Sequence, residues 1–393
     1  MIAFLMLSLV FGLIAVHPFT SYPFSLWLIR KWFFDPKAQP ETHQVPSIAI
    51  CVCAYNAAGS IRRKLDNLRD LSDAYQGEVG VYIYDDCSND GTSDILREYD
   101  HLFHIVSGPQ RSGKTVGMNT LLARCHEDLV VFSDANVQIE LNALDVFACY
   151  FESPNVGCVC GTLHYVDSDD EVAAQTSSLY WKLEEFVKQL ESDTGSVVAA
   201  DGSLFAIRRE LFREVPHDII DDMFTSVSIL CDGYELKRAA EAIAHERAAQ
   251  KSSEEFNRKK RIACRCINCS RLLAKRLAGL SWLNIYKFFS HKLLRWTSVA
   301  WLLGSVVCFG GFLIAAIGPL PAAVVLSLAG VAIAIGHSAK VPGIRHLTEI
   351  VGVFVAVGLG VVQSFCGMRY QTWQPAQTVH GASKQPEEPA AAS

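Results

Sequence analysis

Charge is scarce in this chain. Asp, Glu, Lys and Arg make up 19% of its 393 residues, half of the residues are hydrophobic, and the mean hydropathy is positive. That is too apolar for an ordinary soluble protein. There is no basic excess either: the net charge of -6 gives no global attraction to nucleic acid. A disulfide framework is also lacking. Eleven of the 13 cysteines lie between positions 46 and 280, an odd number at irregular spacing, as expected of reduced thiols in a cytosolic compartment. Residues 1–16 have no basic segment before them and no Ala-x-Ala site after them, so they read as an uncleaved helix rather than a signal peptide.

The apolar residues are gathered into four runs, 1–16, 297–318, 320–336 and 348–368, each near or above the ~20 residues that cross a bilayer. Trp27, Arg30, Lys31 and Trp32 anchor the first; Lys292 and Arg295 precede the second; Lys340 and Arg345 lie between the third and fourth. Residues 318–321 carry no charge. The positive-inside bias therefore puts the large domain and the Lys340 loop in the cytoplasm, and the tail after Arg369 on the other side. The expected organisation is 1–36 for the first membrane helix and its anchor, 45–278 for a large domain, and 279–296 for an interfacial amphipathic segment. Three membrane helices follow over 297–369, then a Pro-, Glu- and Ala-rich tail over 370–393, expected to be disordered.

Within the large domain, apolar strands alternate with helical patterns. Residues 46–56 form a buried strand ending in Tyr55 and Asn56, and Ile61, Leu65, Leu68 and Leu71 then recur at helical spacing. A second strand, 79–84, runs into Asp85-Asp86-Cys87-Ser88-Asn89-Asp90-Gly91-Thr92. A third unit leads to Gly113-Lys114-Thr115, and the strand 129–134 ends in Asp134-Ala135-Asn136. Such alternation implies an α/β, doubly wound parallel sheet, whose ligands bind beyond the carboxyl ends of the strands. Asp134 and Asn136 could face a hard divalent cation, which prefers oxygen ligands, or could simply form a turn. Further on, 197–207 reads as strand-turn-strand around Asp201-Gly202. Asp221-Asp222 reads as an acidic pair or helix cap, and 258–261 as a basic run or solvated face. Cys264, Cys266 and Cys269 have no fourth ligand at zinc-site spacing and read as helix packing; His245 and His291 read as polar interface residues.

Residues 108–115 fit the P-loop pattern, which offers a rival: a membrane-tethered ATPase or kinase. Against it, two complete strand-acid units precede the loop, Asp134 follows Lys114 closely, and Pro109 has no N–H to offer a phosphate.

Taken in order, these elements resemble the membrane-bound, polysaccharide-synthase-like members of glycosyltransferase family 2, over about 46–296. Ala54-Tyr55-Asn56 is similar to the family's first-strand signature, and the Asp85–Thr92 loop to its Asp-Asp-x-Ser-x-Asp-Gly-Thr loop. Gly113-Lys114 with Asn119 is similar to its Gly-Lys helix start. Asp134-Ala-Asn136 stands where the family has Asp-x-Asp, Asp221-Asp222 where many members have Glu-Asp, and Arg258-x-x-Arg261 where polymer synthases carry Gln-x-x-Arg-Trp.

The resemblance implies a GT-A fold, a doubly wound, Rossmann-like mixed sheet, and inverting transfer from a nucleoside-diphosphate sugar, UDP-linked, to a polysaccharide or lipid-linked acceptor. It implies Asp222 as general base with Asp221 beside it, and Arg261 neutralising the leaving diphosphate. Tyr55, Asn56, Asp85, Asp86, Lys114, Asn119, Asp201, Gly202 and Arg258 would bind substrate, and Asp134 with Asn136 would hold Mg2+ or Mn2+. It places the enzyme in the inner membrane, multi-pass, its catalytic domain facing the cytoplasm, with membrane lipids and envelope or polysaccharide assembly proteins as partners and no nucleic acid. Two departures stand out. Arg258 and Ile262 replace Gln and Trp, which speaks against long-polymer synthesis, and the neutral Asn136 leaves room for a catalytically inactive scaffold.

Overall fold

The computed structural model describes residues 1–34, 45–166, 171–247, 252–339 and 341–372; Lys340 and most of the tail lie outside them. Eight strands run β1 Ile48–Ala54, β2 Val79–Asp85, β3 His104–Ser107, β4 Leu129–Asp134, β5 Gln138–Ile139, β6 Val156–Val166, β7 Leu204–Arg208 and β8 Glu235–Arg247. They form one sheet in the order β3-β2-β1-β4-β7-β6-β8-β5. The first four are parallel, as the alternating pattern predicts, but β7 runs antiparallel to both β4 and β6, so the sheet is mixed. Only Leu204–Arg208 of the expected strand-turn-strand is strand.

The apolar stripe of the helix Ala58–Ala74 packs Ile61, Leu65, Leu68 and Leu71 on one face of the sheet, with Phe147 of Ala143–Phe151. On the other face lie Met118 and Leu121 of Lys114–Leu122 and Ile229 and Leu230 of Asp221–Cys231. Covering both faces explains why the parallel strands are continuous apolar runs rather than alternating ones. The cysteines fit this core: Cys51, Cys53, Cys158 and Cys160 are buried on strands, and none of the 13 is in a disulfide.

Among the described residues, four helices are long and apolar enough to cross a membrane. Ile2–Val16 packs antiparallel on Leu294–Ile317, where the hydroxyls of Ser8 and Ser305 each donate to the other's carbonyl. The last two helices differ from the expected serial crossing. Leu326 of Pro319–Ser338 lies near Gly310, while Gly336 abuts Ile344 at the start of Pro342–Phe365. Gly358 meets Val299, near the domain end of Leu294–Ile317, and Gly360 meets Lys260 and Ala263 of the helix Ser252–Leu272. Fourteen residues of helix separate Ile344 from Gly358, about 21 Å, so this helix runs toward the domain. Residues 366–372 then continue along it. Met368 O accepts from Asn268 Nδ2 at 3.1 Å, and Arg369 pairs with Asp218 at 3.1 Å. The segment after Phe365 thus lies on the domain's side, where the charge pattern had put the tail opposite. Charge counts locate loops but do not show whether an apolar helix crosses fully.

Residues 282–296 form a helix with a π-helical stretch, Phe288–Leu293, that merges into Leu294–Ile317. His291 is not at an interface with solvent. It is buried between Glu191 (2.7 Å) and Glu184 (3.1 Å) of the helix Glu171–Asp193.

Candidate active site

Strand register aligns the acidic loops. Ala54 pairs with Asp85 and Cys53 with Asp134, so the ends of β1, β2 and β4 lie along one rim. There the loops tie to one another. Asn56, held at a left-handed φ of 48°, donates its N–H to Ser88 Oγ and accepts Asn89 N–H on Oδ1. Asp90 accepts Ala58 N–H (3.0 Å) and Thr92 N–H (3.1 Å), and Asp85 accepts Ser88 N–H (3.1 Å) and Ser93 Oγ (2.5 Å). Asp86 is fully buried and accepts the N–H groups of Ser112 (2.6 Å) and Gly113 (2.9 Å). These are the amides a P-loop would turn on a phosphate. A carboxylate of the neighbouring strand fills that cradle, and the ATPase reading fails on it. Arg111 stacks over the Tyr55 ring at 3.9 Å, so a base entering here would meet a cation–π pair rather than an open ring.

Past this rim, Lys114 Nζ donates to Asp134 Oδ1 at 2.6 Å and to Gly202 O at 3.3 Å, and stands 3.7 Å from Asp221 Oδ2. Burial alone would lower its pKa; Asp134 and Asp221 outweigh this and hold it well above the usual lysine value. Asp221 and Asp222 open the helix Asp221–Cys231, whose amino end favours negative charge. Burial wins at Asp222 nonetheless. Desolvation, then the neighbouring Asp221, push its carboxyl up to about 7 against the pull of Lys114. Gly202 makes room for it, since a Cβ there would lie 2.7 Å from Asp222 Oδ2.

The helix Ser252–Leu272 closes the site. Arg258 is held above the usual arginine range; burial opposes this, and Tyr165, Glu246 and Glu255 outweigh it. Arg261 makes no hydrogen bond or ion pair among the described residues. Burial, with Arg265 and Arg258 beside it, lowers its pKa to about 10. Arg265 donates to Ile219 O (2.6 Å) and Thr115 Oγ1 (3.1 Å), holding the turn before Asp221. A half-buried cation with no ion-pair partner among the described residues suits an anionic ligand.

The structure thus gathers Lys114, Asp134, Gly202, Asp221 and Asp222 around common contacts, and Asp134 and Asp221 are charged neighbours of Arg261. Asp201 sits at the edge of this group, ion-paired with the buried Lys188. Asn119 is not brought to the site. Its amide pairs with the backbone of Val215 in both directions, at 2.8 and 3.1 Å, fixing the loop before Asp221. Sequence reasoning passed over Lys64, Arg265 and Glu246. Lys64 left a signal, a charge inside the apolar stripe Ile61–Leu65–Leu68. It is fully buried behind Asp134, donating to Ser133 Oγ (2.8 Å) and Val137 O (2.7 Å), and burial takes its pKa to about 7.

For a cation, no three His, Cys, Asp or Glu side chains converge on one point among the described residues. Asp134 and Asn136 nonetheless fit a magnesium-type site, which takes one or two carboxylates and completes its shell with phosphate oxygens and water.

A sheet of this order, with its acidic rim at the strand ends, is the GT-A fold. The chain shares it with a mannosyltransferase, PcManGT, from Pyrobaculum calidifontis, solved with GDP-Man and Mn2+: TM-score 0.70 and 21% identity, covering 92% of this chain and 99% of that one. Residues 49–216 match the model of glycosyl transferase family 2, so the chain carries a glycosyl transferase family 2 domain. It is also similar to an N-acetylglucosaminyltransferase of Rhizobium meliloti (strain 1021), 25% identical over 52% of each chain. A second relative, an N-acetylglucosaminyltransferase of Sinorhizobium fredii (strain NBRC 101917 / NGR234), is 25% identical over 43% of this chain and 45% of that one. The chain spans about half the length of these curated relatives.

Proposed function

We propose that the protein is an inverting glycosyltransferase that moves a sugar from a nucleoside-diphosphate sugar, UDP-linked, to a hydroxyl of a polysaccharide or lipid-linked acceptor at the cytoplasmic face of the inner membrane. The observation that carries this is Asp222: a carboxyl with a pKa of about 7, facing Gly202 on the rim that also holds Lys114 and Asp134. Asp222 takes the proton of the acceptor hydroxyl as its oxygen attacks the anomeric carbon, and the bond from that carbon to the diphosphate breaks. Arg261 and Lys114 meet the charge left on the diphosphate. Arg265 and Asn119 hold the loop that sets Asp222 in place. A divalent cation on Asp134 and Asn136, Mg2+ or Mn2+, would supply Lewis-acid neutralisation of the same diphosphate. The membrane helices joined to the site favour an acceptor that is lipid-linked or extruded, with envelope assembly proteins as partners.

The test is nucleoside-diphosphate release by the full chain in detergent from a panel of UDP-sugars and GDP-mannose, with and without EDTA. Turnover of at least one donor, lost on chelation and restored by Mn2+, is expected. ATP hydrolysis with no binding of any nucleotide sugar would overturn the reading.

A further inference from the structure

The Asp134-Ala-Asn136 loop offers a cation one carboxylate and one neutral amide. We propose that Glu246, from the far end of β8, supplies the second carboxylate of this cation site. The inference rests on the glycosyltransferase reading and deepens it. Asn136 Nδ2 donates to Glu246 Oε1 at 2.9 Å across 110 residues of sequence. Glu246 therefore stands beside the loop and fixes the amide so that its oxygen faces away from β8 (the amide's orientation follows from this hydrogen bond). Glu246 is only 6% exposed, and its second oxygen, Oε2, is buried with no hydrogen-bond partner among the described residues. A buried carboxylate oxygen left unbonded is costly and rare, and demands an explanation. Arg258 does not provide one. It is a charged neighbour of Glu246, but its ion pair is with Glu255 at 3.7 Å, and Oε2 stays unbonded. Asp134 and Glu255 are its other charged neighbours, and of these Asp134 stands on the loop that holds Asn136. Two carboxylates close enough to repel, with an oriented amide between them, suit a hard divalent cation that also takes diphosphate oxygens.

The experiment titrates Mn2+ into the full chain in detergent micelles, alone and with UDP, reading free Mn2+ by electron paramagnetic resonance. Glu246→Gln keeps the hydrogen bond from Asn136 but removes the charge, and is expected to weaken Mn2+ binding at least about tenfold. Asp134→Asn should abolish it. The double variant Asn136→Asp/Glu246→Gln moves the carboxylate back into the loop and should recover binding to within about threefold of the parent, a rescue that a structural role for Glu246 does not predict. If Glu246→Gln binds within twofold of the parent while Asp134→Asn does not bind, Glu246 is structural and the proposal falls, leaving the glycosyltransferase reading intact. If Asp134→Asn binds normally, the cation sits elsewhere and both fall. Should Glu246→Gln fail to fold, the double variant decides: folded with binding supports the proposal, folded without binding overturns it.

Discussion

The two halves of the rim are built in opposite ways. On the β2-β1 side the polar residues spend their hydrogen bonds on each other's backbone: Asn56 on Asn89, Asp90 on Ala58 and Thr92, Asp86 on Ser112 and Gly113. On the side of the helix Ser252–Leu272, among the described residues, Asp221 Oδ2, Glu246 Oε2 and Arg265 Nε are buried without hydrogen-bond partners and Arg261 has no ion pair. The first half is a braced frame that holds loops in place. The second keeps charge in reserve, as the proposed transfer from a diphosphate to a hydroxyl would require.

The largest effect should come from the reserve side. Asp222→Asn is expected to lower kcat by about 10²–10⁴-fold, the usual worth of a general base, with donor binding intact by thermal shift. A carboxylate with a pKa of about 7 must be ionised to act. The parent's kcat should therefore rise about tenfold per pH unit below neutrality and level off above it; a pH-independent kcat would break the assignment. Next, Arg261→Met should cut kcat about 10²-fold while leaving the unfolding temperature level or raised, because a half-buried cation crowded by Arg258 and Arg265 gains little from its charge in the native state. A large fall in unfolding temperature would show that Arg261 belongs to the frame instead. Smallest, Asp86→Asn should cost about 1.5–3 kcal/mol in urea unfolding, since it loses a charged acceptor and turns an NH₂ toward a backbone amide. If Asp86→Asn instead spares stability and abolishes donor binding, the contrast between the halves collapses.

Much of the frame could be read along the chain. Apolar runs ending in Asp85 and Asp134, helical spacing at Ile61 to Leu71, and the 85–92 loop all work within short stretches. The parallel half of the sheet follows from them. The antiparallel β7 gave a weaker signal, five residues in a longer apolar stretch. Asn119 looked like a ligand from its place after Gly113-Lys114, whereas its amide clamps the backbone of Val215, 96 residues away. Residues 366–372 looked external because four apolar runs count as four crossings, whereas the contacts of Gly336 and Gly360 turn the last helix toward the domain.

Local pattern was enough for most of the strands, the turns that follow them and the long apolar helices, because apolar periodicity and turn chemistry act between near neighbours. Folding set which charges face each other: Lys114 between Asp134 and Asp221, Glu246 on Asn136, Arg261 beside Arg258 and Arg265. A buried group's pKa and hydrogen-bond balance depend on whatever packing places beside it, and here those neighbours come from strands and helices that are distant in the chain.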